Sequence, residues 1–167
     1  DYFYRAYNAP ENSHQFKIDN YGMCINLNYE YKSIAYCNRG VSKAALKDYN
    51  GAIADYTKSI ELDSDNANAY YNRGNSKAAL KDDYGAIADF TKAIEIDPDN
   101  ANAYNNRGVS KAALKDYYGA IANYTKAIEL KYGGATIASY NNRGYSKNEL
   151  KDYNGAIADY TKSIELD

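Results

Sequence analysis

The sequence has no tryptophan, one methionine, two prolines, two cysteines and a single histidine. Each scarcity closes a route. Cys24 and Cys37 cannot build a disulfide scaffold and read as small buried hydrophobes. His14 stands in an irregular leader, and nothing there would orient a Cys/His nucleophile pair. No clustering of Cys and His has metal-ligand spacing, and no glycine-rich stretch has the strand context of a phosphate loop. Neither a metal nor a cofactor is expected, and the chain reads as a protein that is not an enzyme. The 20 basic and 22 acidic residues leave a net charge of −2, with no basic run. That argues against nucleic acid or an anionic membrane as partner. No stretch has the length and apolarity of a membrane span or of a signal-peptide core. The first residue is Asp1 rather than Met, so the chain reads as processed or as a fragment.

What is abundant is tyrosine, 21 residues of 167, and repetition. "NRG" begins at Asn38, Asn72, Asn106 and Asn142, and each copy continues through "SK", "LKD", "GAIA" and "TK" to "IE". Such a period marks stacked supersecondary units. Each unit reads as two helices, in the first copy roughly Ile34–Leu46 and Asn50–Leu62. Asp48, Asp82, Asp116 and Asp152 are placed to cap the second helix by accepting its free amides. Ala52, Ile53, Tyr56, Ser59 and Ile60 fall on one helical face, and the short turn makes the two helices antiparallel. "DPDNAN", with Pro98, turns the chain into the next unit. The third junction, "ELKYGGATIASY", is two residues longer, and Gly133-Gly134 should loosen it. Residues 16–28 look like a decayed second helix, and Pro10 interrupts any first helix over 1–15.

This pattern resembles the tetratricopeptide repeat. The matching residues are Tyr36, Tyr70, Tyr104 and Tyr140, the glycines Gly40, Gly74, Gly108 and Gly144, then Ala52, Ala86, Ala120 and Ala156, and Tyr56, Phe90, Tyr124 and Tyr160. Small residues follow at Ser59, Ala93, Ala127 and Ser163. The resemblance implies an all-α fold, a right-handed α-solenoid of antiparallel helix pairs. Repeats are expected over 33–66, 67–100, 101–136 and 137–167, with 1–32 a degenerate or capping repeat. Arg39, Arg73, Arg107 and Arg143 replace the family's usual Leu before the glycine, and Lys43, Lys77, Lys111 and Lys147 replace a frequent aromatic after it. The arginines are expected to pair with Asp55, Asp89 and Asp159, a series that Asn123 breaks. Asn123 also opens the sequon "NYT" where the other repeats read "DYT" or "DFT". With the missing initiator Met it leaves export open against a cytoplasmic default.

The family's first helices line a groove that commonly binds peptides. By resemblance the groove here carries Asn38, Val41, Tyr71, Asn72, Asn75, Asn105, Asn106, Val109, Asn141, Asn142, Tyr145 and Asn148. Amides can pair with an extended peptide backbone, and tyrosine adds flat contact area with a polar tip. A lysine clamp for a terminal carboxylate is not expected, because Cys37, Tyr71 and Asn105 hold its places. The first and fourth copies differ between "NRG" and the final "ELD" only at Val41/Tyr145, Ala44/Asn148 and Ala45/Glu149, all places expected to face the groove. Two functions remain: a scaffold that binds a peptide segment of another protein, and a structural protein that stacks on its own copies head-to-tail. Stacking would use Ile157, Tyr160 and Ile164 at one end and Ile18, Tyr21 and Ile25 at the other, since the chain stops after a second helix with no polar cap.

Overall fold

The computed structural model describes residues 1–27, 30–131 and 133–166. Asn28, Tyr29, Tyr132 and Asp167 lie outside the described residues. With them go the last position of the helix expected over 16–28, one residue of the long third junction and the final residue of the fourth repeat. The described residues form ten helices and no strand. They fall into two compact units, Asp1–Asp82 and Asp83–Asp167.

The first unit holds α1 (Tyr2–Tyr7), α2 (His14–Asn26), α3 (Lys32–Ala45), α4 (Tyr49–Leu62) and α5 (Ala67–Ala79). In the leader, the Asp1 carboxylate accepts from the Phe3 amide at 2.9 Å, and Pro10 lies in the break between α1 and α2. Ala6 of α1, Tyr21, Cys24 and Ile25 of α2 and Ala35 of α3 are buried together, with Phe3 and Tyr36 packed against them. Tyr21 and Ile25 are therefore core residues. Expected at an open end, they are instead covered by α1 and α3, and only Ile18 of that trio stays half-exposed.

The turn from α3 to α4 is three residues that serve both helices. Lys47 takes the left-handed region, φ 64°. Its amide reaches the Ala44 carbonyl at 2.9 Å, and the Asp48 amide reaches the Lys43 carbonyl at 2.9 Å. These are the two bonds of a Schellman ending, which satisfy carbonyls that α3 leaves unpaired. The Asp48 side chain then accepts from the Gly51 amide at 2.9 Å and starts α4. Lysine is strained there, by about 1–2 kcal/mol relative to a right-handed conformation. Above the turn the helices meet closely. A Cβ on Gly40 would stand 2.7 Å from the Tyr56 ring, so this glycine is needed for the approach and not for backbone freedom.

The second unit holds α6 (Asp83–Ile96), α7 (Ala101–Ala113), α8 (Tyr117–Glu129), α9 (Gly133–Glu149) and α10 (Tyr153–Leu166). Its two complete hairpins repeat the same devices. Lys115 and Lys151 are left-handed, and Asp116 and Asp152 cap α8 and α10 through Gly119 and Gly155. The third junction differs from expectation in form. Gly133-Gly134 make the first turn of α9, which runs to 17 residues where α7 has 13. The helix therefore crosses the repeat boundary expected between 136 and 137.

Candidate functional site

Two sets of side chains recur on the first helices, one turned toward the partner helix and one on the opposite face. The inward set is a carboxylate clamp. Asp55 is buried and accepts from Arg39 Nε at 2.8 Å and from Arg39 Nη2 at 2.6 Å, while Lys43 Nζ stands 2.8 Å from the same carboxylate. Asp159 is held likewise by Arg143 and Lys147. Each guanidinium also lies over the tyrosine three residues earlier, at 5.3 Å from the ring centres of Tyr36 and Tyr140. Such cation–π contact adds about 0.5–1 kcal/mol. Burial raises the Asp159 pKa, but the hydrogen bonds and charges of Arg143 and Lys147 outweigh it, and the net shift is downward. The arginines also tie one hairpin to the helix before it: Arg73 and Arg107 reach Thr57 and Thr91 at 3.1 Å, and Arg143 reaches Thr125 at 3.0 Å.

Where Asn123 replaces the aspartate, the clamp loosens. Arg107 Nε meets a single carboxamide oxygen at 2.8 Å, the Asn123 Nδ2 donates to the Gly119 carbonyl, and Lys111 turns to Asp116 at 3.1 Å. The guanidinium responds in opposite directions. The hydrogen bond that Arg39 donates to Asp55 raises the pKa of Arg39, whereas burial lowers that of Arg107. Asn123 is itself buried, so the amide of the "NYT" sequon is spent inside the protein.

The outward set differs between the units. In the first, Asn38 and Val41 of α3 and Asn72 of α5 line a cleft of about 600 Å³ with Ile34, Cys37 and the α4–α5 turn. Ile34 and Val41 are exposed. Asn38 Nδ2 also donates to the Tyr21 hydroxyl at 3.4 Å. Cys37 is buried, and burial pushes its thiol up to about 11, with the adjacent Asn72 amide pulling the other way. At that pKa it is a packing group and not a nucleophile. Cys24 is likewise free and buried. Tyr71 and Asn75 are half-buried on α5.

In the second unit the same helical positions carry a closed amide network. Asn105 is buried, and its Oδ1 accepts from Ser139 Oγ at 3.0 Å and from Asn142 Nδ2 at 3.1 Å. Its Nδ2 donates to Asn106 Oδ1 at 3.1 Å. Asn105, expected to face a ligand, thus spends its side chain joining α7 to α9. The residues left facing outward are Val109, Asn141, Tyr145 and Asn148, all exposed. Tyr117 meets the Tyr145 ring edge-on at 6.5 Å, and its hydroxyl donates to Glu149 Oε2 at 3.2 Å. Two of the three differences between the first and fourth copies, Tyr145 and Glu149, therefore make one contact with α8. Sequence reasoning missed Tyr117, and it missed Ile34, Asp63 and Asp65 beside the first cleft. Those two acids belong to the first inter-repeat turn, and the bend was argued from the second, "DPDNAN", with no weight given to charge.

Among the described residues no three His, Cys, Asp or Glu side chains could hold one metal ion, and no helix is long and apolar enough to cross a membrane. Family models of the tetratricopeptide repeat match residues 42–81, 67–100, 90–122 and 137–167. No curated protein matches the sequence. Among solved structures, a crystal structure of MamA superposes with a TM-score of 0.86 at 22% identity, covering 93% of this chain and 90% of that one. MamA from Desulfovibrio magneticus RS-1 gives 0.84 at 20% identity, covering 93% and 86%. YrrB, a TPR protein with an unusual peptide-binding site, gives 0.82 at 17% identity, covering 99% and 84%. The fold is that of an α-solenoid built from antiparallel helix pairs. The chain belongs to the tetratricopeptide repeat family.

Proposed function

We propose that the chain is a non-catalytic interaction scaffold that holds a peptide segment of another protein against the outward face of its first helices. The cleft beside α3 and α5 carries this reading. It offers Asn38 and Asn72 to a peptide backbone and the exposed side chains Ile34 and Val41 to an apolar residue, at a volume suited to a few side chains. Membership of the family and the peptide-binding site of the similar protein YrrB support it. The near-balanced charge favours a protein partner over nucleic acid or an anionic membrane. The test is selection of a randomised peptide library on the immobilised protein, repeated with the double variant Val41→Ser/Asn72→Ala. Selected peptides should bind the variant at least about tenfold more weakly, with helix content unchanged by circular dichroism. Equal binding to both proteins would remove the groove from the account.

A second reading, stacking between copies, is favoured by the apolar face of α10, where Ile157, Tyr160 and Ile164 are exposed. Tyr21 and Ile25 are buried, so on this reading the opposing surface would have to come from other residues, such as Phe16 and Met23 on α2, both exposed. Light scattering that reports oligomers growing with concentration and abolished by Tyr160→Asp would support it. A monomer at every concentration would end it.

A further inference from the structure

The first unit's cleft has a charge of one sign, and that sign specifies its occupant. Among the described residues that line it, the only ionised side chains are Asp63 and Asp65, in the turn from α4 to α5. Three cations of the neighbouring hairpin are engaged elsewhere: Arg39 and Lys43 on Asp55, Lys58 on Glu61. The turn uses its other polar groups internally. Asn66 Oδ1 accepts from the Ala69 amide and caps α5, and Asn66 Nδ2 donates to Ser59 Oγ. One oxygen of Asp63 accepts from the Asp65 amide at 3.2 Å. Among the described residues no cation forms an ion pair with either carboxylate, and both residues are exposed.

Helix stability does not account for the position of Asp63. It is the C-cap of α4, where the helix dipole disfavours negative charge by about 0.3–1 kcal/mol. The second junction repeats the same turn, with Asp97 accepting from the Asp99 amide at 3.3 Å, and in both junctions the turn uses one oxygen of the first aspartate. The two carboxylates share the lining of one cleft with Ile34 and Val41.

We propose that this cleft takes an extended peptide segment in which an apolar side chain rests on Ile34 and Val41 and an adjacent lysine or arginine meets Asp63 and Asp65. The inference rests on the groove reading above and adds to it the sign of the partner. Attraction of this exposed kind steers association and sets register more than it adds affinity. The same library selection tests it with a second variant, Asp63→Asn/Asp65→Asn, which preserves shape and removes only charge. The peptides selected on the native protein should be enriched in Lys or Arg next to an apolar residue. They should bind the charge-neutral variant roughly three- to tenfold more weakly, with a difference that shrinks as salt is raised. Peptides without basic enrichment that still fail on Val41→Ser/Asn72→Ala would keep the groove and overturn the basic partner. Peptides indifferent to both variants, or no enrichment at all, would overturn both.

Discussion

Helices α4 and α10 have the same 14 residues, YNGAIADYTKSIEL, and different surroundings. Tyr56 of α4 is 1% exposed and its twin Tyr160 of α10 is 36% exposed. Ile53 and Ile60 are half-buried, whereas Ile157 and Ile164 are 63% and 78% exposed. Both helices make the same clamp with the preceding helix, so that side of each is set by the hairpin itself. The difference lies on the other side. α4 is packed by α3 and α5, and α10 packs on α9 with no described helix in the place of α5. An identical helix thus contributes a full core residue in one hairpin and a half-open one in the other.

The largest effect should come from the tyrosine twins. Tyr56→Ala should cost about 3–5 kcal/mol, the range for an aromatic removed from a packed core, and Tyr160→Ala clearly less. Urea unfolding followed by circular dichroism measures both. Equal losses would mean that contacts with α9 alone stabilise the Tyr160 ring as fully as the enclosed site stabilises Tyr56.

The carboxylate clamp sharpens the comparison, because the α7–α8 hairpin carries a natural replacement. Asp55→Asn should destabilise by about 1–3 kcal/mol, since it leaves Arg39 and Lys43 without their shared carboxylate. Asn123→Asp should run the other way, giving Arg107 and Lys111 the partner that Arg143 and Lys147 have, with a gain of about 1 kcal/mol. A loss on Asn123→Asp would show that its amide bond to Gly119 matters more than the ion pair.

Acid should act on the same clamp. The Asp159 pKa is depressed in the folded protein. A depressed carboxylate contributes its stability fully above the unfolded value, near 4, and loses it as pH falls through the folded value. Thermal midpoints should therefore decline below about pH 4, and Asp159→Asn should flatten that decline. An unchanged profile in the variant would assign the acid sensitivity to other carboxylates.

The smallest expected effect concerns the turn shared by the hairpins. Lys115→Gly removes left-handed strain at an exposed site but adds freedom to the unfolded chain, for a net gain of about 0.5 kcal/mol. A loss would mean that the lysine side chain contributes contacts of its own.

Much of the fold was legible because its causes are local. Asp48, Asp116 and Asp152 cap helices wherever a short carboxylate precedes a free amide, and the apolar spacing of Ala52, Tyr56 and Ser59 marks one face in any context. The arginine–aspartate pairs were legible too, since they lie 16 residues apart across a fixed turn. Lys43 and Lys147 joining the same carboxylates were not, because spacing alone does not choose among partners for a long flexible chain. The candidate site was legible as a face and not as a constellation. Asn38 and Asn142 hold the same place in their repeats, yet one lines a cleft and the other joins a network with Asn105 and Ser139.

The sequence by itself determined the helices, their caps, the repeat and the hairpin clamp, because these depend on contacts within about one repeat of chain. Only the tertiary structure decided which copy of an identical residue is buried, and which amide is spent on a neighbouring helix. It also decided that Ile34 and Val41 share a cleft with Asp63 and Asp65. Burial and pairing depend on what packs from the next element, and a helix carries no record of that neighbour in its own 14 residues.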